Sequence, residues 1–497
     1  MNKITLKGKT ELGKINKHIY GHFAEHLGAC IYNGIWVGED SDIPNIRGMR
    51  TDIIEALKAI NAPNLRWPGG CFADQYHWRD GIGPRDERPL TLNSHWGDAP
   101  ETNAFGTHEF MDLCELIGAD PYIGGNVGSG TVQEMREWIE YITADHESEM
   151  SNLRRANGRE KAWPMPFWGI GNENWGCGGH MSPEFYADLY RQFHTHIKNY
   201  GDTPMMKIAS GYGGSDTDGE DLAVVMDRLY NTRFPVRTDG VSIHYYVYLR
   251  NDETQRAAEF STDQWFETMK LAHHIDHVIE TNDAVISEYD PEKKIWLIVD
   301  EWGNWFQVEE GHNPAYLYQQ NTVRDAVVAA HTLHIFQDHN DRVQMANIAQ
   351  TVNVLQAMIL TEGEKMLLTP TYHVFDMFKG HQDATRLALD VEADDYSNGE
   401  DTLPAFSASA SQSASGDVLL TLCNLKPDEA LTITCDVQDL NVATVEGMVL
   451  AGEAMNAHNT FDQPEKVVPT AFSGATLDGQ SLSIDLPAGG VVALTLR

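Results

Sequence analysis

The chain has 497 residues, more than one ordinary core holds, so a large domain with a smaller appendage is expected. Its 36 basic against 73 acidic side chains leave a net charge of −37 at pH 7, a field that repels phosphate backbones and anionic lipid and so excludes nucleic acid and membranes as partners. The start, Met1 to Lys7, lacks the apolar core of a signal peptide, and no stretch reaches the length of a membrane span, which predicts a cytoplasmic protein.

Strand-like and helix-like segments then alternate eight times. Ile19 to His26 is the first predicted strand, followed by an amphipathic run from Met49 to Ala62 with Ile53, Ile54, Leu57 and Ile60 as its apolar positions. Asn64 to Gly70 is strand two and His108 to Gly118 its helix; Pro121 to Gly128 is strand three, with Thr131 to Thr143 helical. Phe167 to Glu173 is strand four, and Ser182 is a predicted N-cap before Pro183 for a helix running to Tyr200. Met206 to Gly211, Gly240 to Tyr246, Ile295 to Glu301 and Val343 to Thr351 supply strands five to eight, with a helix over Asn321 to Phe336 before the last. Eight βα units predict a closed parallel (β/α)8 TIM barrel over residues 19–382.

The composition changes after residue 382. All twelve tryptophans lie at or before Trp305, and residues 382–497 carry 18 acidic against 4 basic side chains. Short alternating runs such as Val418 to Leu422, Leu431 to Thr434 and Val491 to Leu496, separated by Gly, Pro and Asp, predict a C-terminal antiparallel β-sandwich over 383–497. The Ser/Ala-rich stretch Ser407 to Ser415 reads as an exposed loop. Six cysteines, at positions 30, 71, 114, 177, 423 and 435, show neither tight pairing nor C-x-x-C spacing. They read as reduced thiols, most of them small core residues.

The candidate chemistry sits at the predicted strand ends. His22-Phe23-Ala24-Glu25-His26 matches the H-x-x-E-H zinc pattern, but that pattern needs a helix to turn both histidines one way, and none is predicted here. Glu25 reads instead as a polar residue at the top of strand one, and no metal is expected. Strand two ends in Arg66-Trp67-Pro68-Gly69-Gly70-Cys71, where Pro-Gly-Gly forces a sharp turn and lets backbone approach a ligand, while Arg66 stands where a guanidinium can orient a carboxylate or a sugar hydroxyl. Strand six ends His244-Tyr245-Tyr246, and strand eight carries Asn347 and Gln350; singly each is ordinary, but together they point to one mouth.

Glu173 and Glu301 close strands four and seven. A glutamate at a strand end is ordinarily a solvated loop residue. These two keep company with Asn172, Asn174, Trp175, Asp300, Trp302 and Trp305, which supply apolar faces for a sugar ring and fixed partners for its hydroxyls. Two carboxylates facing one cleft are the machinery of glycoside hydrolysis.

Gly21 to Gly28, Arg66 to Asp74, Asn103 to Phe110, Gly171 to Glu173, Asp300 to Gly303 and Met345 to Gln350 resemble, in the right order, the motifs of the α-L-arabinofuranosidases of glycoside hydrolase family 51. The resemblance implies a barrel whose C-terminal sandwich is joined by an N-terminal segment, residues 1–18. It implies an enzyme that retains anomeric configuration, with Glu173 as acid/base and Glu301 as nucleophile, and Glu25, Arg66, Asn172, Tyr246 and Gln350 holding the arabinose or orienting the carboxylates. His244, from its place at the top of strand six, is expected in the same pocket. Many members carry Asn after Pro-Gly-Gly, where Cys71 stands here; Cys71 is expected beside the sugar as a slowly reacting free thiol. Arabinose-containing oligosaccharides are the implied substrates, no cofactor is required, and relatives commonly assemble as homohexamers. The rival readings are an endo-acting xylanase or glucanase on the same barrel and a non-catalytic carbohydrate-binding barrel.

Overall fold

The structure, a computed structural model, describes residues 2–211, 219–249 and 254–497. Eight parallel strands, Gly21–Phe23, Asn64–Trp67, Asp120–Gly125, Phe167–Ile170, Met206–Ser210, Gly240–Val247, Trp296–Asn304 and Val343–Ala349, close into a barrel in chain order, the eighth pairing with the first. Strands two and four are buried at every residue, as expected of parallel strands with a filled interior and helices outside. Among the enclosing helices, Val132–Thr143 is capped by the Thr131 hydroxyl, which accepts from Glu134 N, and Pro183–His196 starts at Pro183 behind the Ser182 cap. Inside the barrel, Tyr122, Phe167, Ile208, Ile298 and Met345 form a plug below the mouth.

Several boundaries differ from expectation. The first strand is only three residues long, because Lys17–Tyr20 turns as a 3-10 helix ahead of it. Strand four stops at Ile170, where Gly171 enters the left-handed region at φ 92°, so Glu173 lies beyond the strand. Strand seven runs on to Asn304, so Glu301 lies within it.

Asn2–Lys14 and nine strands between Thr385 and Leu496 form a ten-stranded sheet wrapped around a second core that includes Ile4, Leu6, Leu420, Ile433, Ile484 and Leu494. The sandwich follows directly from period-two alternation, as in Ser481–Leu486, where every second residue is buried. In this sheet Asn2–Lys14 pairs antiparallel with Thr385–Glu392 and parallel with Leu431–Asp436. Among the described residues no helix is long and apolar enough to cross a membrane.

Only the end of the Ser/Ala stretch, residues 413–415, is the expected loop. Phe406–Gln412 is a strand, and Ser409 and Ser411 are buried against the barrel helix Val323–Asp338 and the turn at His381. Small side chains let the sheet come close, and their hydroxyls meet a chain of histidines across the domain boundary. His273 Nδ1 lies 3.1 Å from His331 Nε2, and Ser407 Oγ lies 3.0 Å from His331 Nδ1 and 2.9 Å from His334 Nδ1. Thr421 Oγ1 lies 3.0 Å from His334 Nε2 and 2.9 Å from His381 Nε2, and His381 Nδ1 is 2.7 Å from Ser411 Oγ. With His331, His334 and His381 neutral, each of these three rings can donate one N–H and accept one hydrogen bond, and every link is satisfied with the donors running in a single direction along the chain.

Burial holds His331, His334 and His381 neutral, lowering His331 and His381 to about 3 and His334 well below its ordinary value. Folded pKa values below the unfolded value mean that the unfolded chain binds more protons, so stability is intact above about pH 6.5 and falls as pH drops toward the folded values. Each buried ring therefore loses about 2 kcal/mol of stability between pH 7.5 and pH 5. His381→Gln keeps polar partners for Thr421 and Ser411 but cannot titrate. In urea unfolding it should be weaker than the parent at pH 7.5, yet lose about 2 kcal/mol less than the parent on going to pH 5; equal losses would show that the histidine chain does not titrate on unfolding.

Candidate active site

A defect in strand pairing builds the centre of the site. Strand seven pairs with strand six through Ile243 opposite Val299 and then His244 opposite Glu301, so Asp300 is an extra residue in the ladder. Simple alternation would send Asp300 and Glu301 to opposite faces. The bulge turns both inward, a re-aiming that such insertions provide.

Glu301 is held by two donors, one across the barrel on strand two and one on the adjacent strand six: Arg66 Nη1 donates to Oε1 at 2.8 Å and the Tyr246 hydroxyl to Oε2 at 2.8 Å. Asp300 accepts from the Tyr122 hydroxyl at 2.6 Å and lies 3.3 Å from Arg66 Nε and 3.2 Å from His244 Nε2. The other edge of His244 faces the catalytic candidates, with Nδ1 2.8 Å from Glu173 Oε1 and 3.5 Å from Glu301 Oε2. One oxygen of Glu173, one of Glu301 and a His244 nitrogen all lie within 4.8 Å of one another. Burial would lower His244, but Glu301, Asp300 and Glu173 override it and push it up to about 10, so the ring is a cation. Asp300 is held below the usual carboxylate range, burial being outweighed by Arg66 and His244.

Glu173 is presented by Gly171-Asn172-Glu173, with Glu173 itself at φ 40°, a strained backbone of the kind stored at functional sites. Asn172 Oδ1 accepts from Arg66 Nη2, while its Nδ2 has no protein partner. Asp74 braces this loop: Oδ1 accepts from Val127 N and Gly128 N at 2.7 Å each, and Oδ2 from Asn172 N at 3.1 Å. Burial pushes Asp74 up to about 7 despite those donors.

Glu25 forms the opposite wall. Its Oε1 accepts from Gly70 N, Phe72 N and Trp96 Nε1 at 3.0, 3.1 and 3.0 Å, and its Oε2 from Gln350 Nε2 at 3.0 Å. Burial, reinforced by the charge of Glu301, raises Glu25 to about 7. The close approach explains the glycine at 70, where a Cβ would stand 2.6 Å from Glu301 Oε1. Trp96, Trp175 and Trp305 stand against Glu25, His244 and Tyr246 respectively.

All nine expected site residues, Glu25, Arg66, Cys71, Asn172, Glu173, His244, Tyr246, Glu301 and Gln350, thus meet at one mouth, but Cys71 is not the expected thiol. It forms a disulfide with Cys177, 106 residues away, with Cα atoms 5.4 Å apart. Spacing along the chain carries no sign of the pair because the loops after strands two and four meet only in the folded barrel. The two sulfurs lie 4.0 and 3.3 Å from Glu173 Oε2, packing the disulfide against that carboxylate, and no thiol is left there to alkylate. The other four cysteines are buried free thiols.

Asn347 does not reach the mouth either; its Nδ2 donates to His22 O and Asn64 Oδ1 within the barrel wall. The H-x-x-E-H residues diverge. His22 packs on Phe375 outside the barrel, and both ring nitrogens of His26 are engaged, by Glu101 at 2.9 Å and Trp67 Nε1 at 3.1 Å. Asp74, Trp96 and Tyr122 are the contributors that sequence reasoning did not single out. Asp74 closes the Pro-Gly-Gly motif, which was a signal; Trp96 and Tyr122 carry none.

The geometry agrees with the comparisons. Residues 56–264 match the α-L-arabinofuranosidase 1 domain and residues 300–489 the α-L-arabinofuranosidase C-terminal domain. The intracellular exo-α-L-arabinofuranosidase of Bacteroides ovatus is 48% identical over 97% of this chain and 93% of its own length. The crystal structure of a family 51 arabinofuranosidase from Xanthomonas axonopodis pv. citri superposes with a TM-score of 0.95 at 44% identity, covering 100% of both chains. The arabinose complex of the Thermotoga maritima α-L-arabinofuranosidase superposes at 0.83 with 30% identity, covering 100% of this chain and 99% of that one. The chain belongs to glycoside hydrolase family 51 and is an α-L-arabinofuranosidase.

Proposed function

We propose that this enzyme is a retaining, exo-acting α-L-arabinofuranosidase that releases terminal arabinofuranose from arabinan or arabinoxylan oligosaccharides by double displacement. The observation that carries this reading is the proximity of Glu173 and Glu301, whose nearest oxygens fall within 4.8 Å across His244. Retaining glycosidases hold their carboxyl groups about 5 to 5.5 Å apart, whereas inverting ones leave about 6.5 to 9.5 Å for a water.

The charges support the roles. Arg66 and His244 face three carboxylates, Asp300, Glu301 and Glu173, so one proton balances the cluster. In the proposed mechanism that proton is the one Glu173 delivers, because Arg66, 2.8 Å from Glu301, holds Glu301 as the carboxylate that attacks. In the first step a Glu301 oxygen bonds to the anomeric carbon, the glycosidic bond breaks, and the leaving oxygen takes the Glu173 proton. Glu301 loses its charge as an ester while Glu173 gains one. In the second step a water gives its proton to Glu173, its oxygen bonds to the anomeric carbon, and Glu301 departs as a carboxylate. The negative charge passes between two groups that both contact the His244 cation, so the buried cluster stays neutral throughout. Asn172 Nδ2 and the free valences of Glu25 and Gln350 are placed to bind sugar hydroxyls.

The word "exo" in the Bacteroides ovatus enzyme's name and the tryptophans against Glu25, His244 and Tyr246 support action at chain ends. That relative is also named intracellular, which favours imported oligosaccharides as substrates here. The rate per linkage should therefore be much higher on arabinose-bearing trisaccharides than on intact arabinan or arabinoxylan; comparable rates would contradict the proposal.

The two glutamates should fail differently. Glu301→Ala should abolish turnover of every arabinofuranoside. Glu173→Ala should retain glycosylation by substrates whose leaving group needs no proton, such as a dinitrophenyl arabinofuranoside, and azide should accelerate its second step by giving an arabinosyl azide. Equal losses of Glu173→Ala on activated and natural substrates, without azide product, would mean that the roles are misassigned.

A further inference from the structure

Tyr122 touches neither catalytic carboxylate, yet the site is built over it. It rises from strand three within the barrel plug, beside Phe167 and Ile298, and its hydroxyl donates to Asp300 Oδ2 at 2.6 Å. Asp300 is the residue that the bulge adds to strand seven, and it is fully buried. Arg66 from strand two, Tyr122 from strand three and His244 from strand six all converge on it, with Glu301 next in its own strand. Two of those three partners act directly on the reaction: Arg66 holds Glu301, and His244 spans Glu301 and Glu173. Tyr122 is the third, and chemistry gives it no other task. Its ring is 5.8 Å from the Arg66 guanidinium, and Gly169 leaves room beside it, since a Cβ there would stand 3.4 Å from its hydroxyl oxygen.

We propose that Tyr122 is a positioning residue for the glycosidase reaction, fixing Asp300 so that Asp300 in turn aims Arg66 at the nucleophile and His244 between the two catalytic carboxylates. The proposal rests on the assignment of Glu173 and Glu301 above and extends it one layer down into the barrel. Among the described residues the Tyr122 hydroxyl is the one hydrogen bond to the Asp300 carboxylate; with it removed, only the longer ion-pair contacts to Arg66 and His244 remain, and both can rotate with it. The loss falls on the step in which charge moves between the glutamates, not on sugar binding. The hydroxyl also helps to keep Asp300 ionised, together with Arg66 and His244 and against burial. Without it Asp300 takes up a proton at higher pH, which removes the anion opposite His244.

The test is Tyr122→Phe, assayed on an arabino-oligosaccharide with rates normalised to active sites titrated by the burst from an activated arabinofuranoside. The expected result is a kcat about tenfold lower with KM nearly unchanged, and an acid limb of kcat/KM moved to higher pH. In an Asp300→Asn background the same change should cost no further rate, because Tyr122 acts through Asp300. Replacement of Tyr122 by 3-fluorotyrosine, which keeps the ring and the hydroxyl and makes it a stronger donor, guards against a folding defect and should move the acid limb the other way. A parent-like kcat and acid limb in Tyr122→Phe with only a lower melting temperature, an unmoved limb with fluorotyrosine, or additive losses with Asp300→Asn would each overturn the proposal. None of these outcomes bears on the catalytic glutamates, whose assignment fails only if Glu301→Ala turns over or Glu173→Ala shows no dependence on the leaving group.

Discussion

Arg66 and His244 are two cations buried under the barrel mouth, and the geometry of the site follows from what they hold. Isolated charges in such a place would be expensive, each costing several kcal/mol of lost hydration. Here the guanidinium spans Asp300, Glu301 and Asn172, while the imidazolium spans Asp300, Glu173 and Glu301. Removing either cation would leave carboxylates facing one another across a distance at which both cannot remain ionised. The proposed double displacement would use the same arrangement: with Glu173 and Glu301 exchanging their charge across His244, neither half of the cycle has to bury an additional one.

The barrel supplies the points from which these groups reach inward, and one irregularity makes the set complete. A regular strand seven would present either Asp300 or Glu301 to the interior. The bulge presents both, Glu301 as the proposed nucleophile and Asp300 as the anchor of the cations. Beneath it the plug of Tyr122, Phe167, Ile208, Ile298 and Met345 closes the interior, so the polar cluster rests on a packed floor. Above it the Cys71–Cys177 disulfide ties the loops of strands two and four beside Glu173. Closing so long a segment removes conformational freedom from the unfolded chain, about 4 to 5 kcal/mol in the chain-entropy treatment.

The eight strands were legible because parallel strands buried on both faces appear as short apolar runs, each punctuated by a polar residue at its carboxyl end. Period-two alternation marked the sandwich in the same way. The site was legible wherever its residues sit at those ends: Arg66, His244, Tyr246 and Glu301. What escaped depends on meetings between distant segments. Ser407 to Ser411 has the composition of a loop, and only the histidines of the helix Val323–Asp338 and of the turn at His381 make its small hydroxyl side chains an interface. Cys71 and Cys177 have no local signature as a pair. Tyr122 looks like any strand residue until its hydroxyl is seen under Asp300, and the bulge itself is invisible without the neighbouring strand, since it is a property of pairing and not of the residues paired.

The central claim is that two carboxylates held this close across His244 act in sequence on one face of the sugar. Proton NMR of the first arabinose formed from an α-L-arabinofuranoside, recorded before mutarotation, tests it most directly. The account predicts that the α anomer appears first and the β anomer only as equilibration proceeds. Initial release of the β anomer would mean a single displacement by water, and would contradict the assignment of Glu301 as nucleophile.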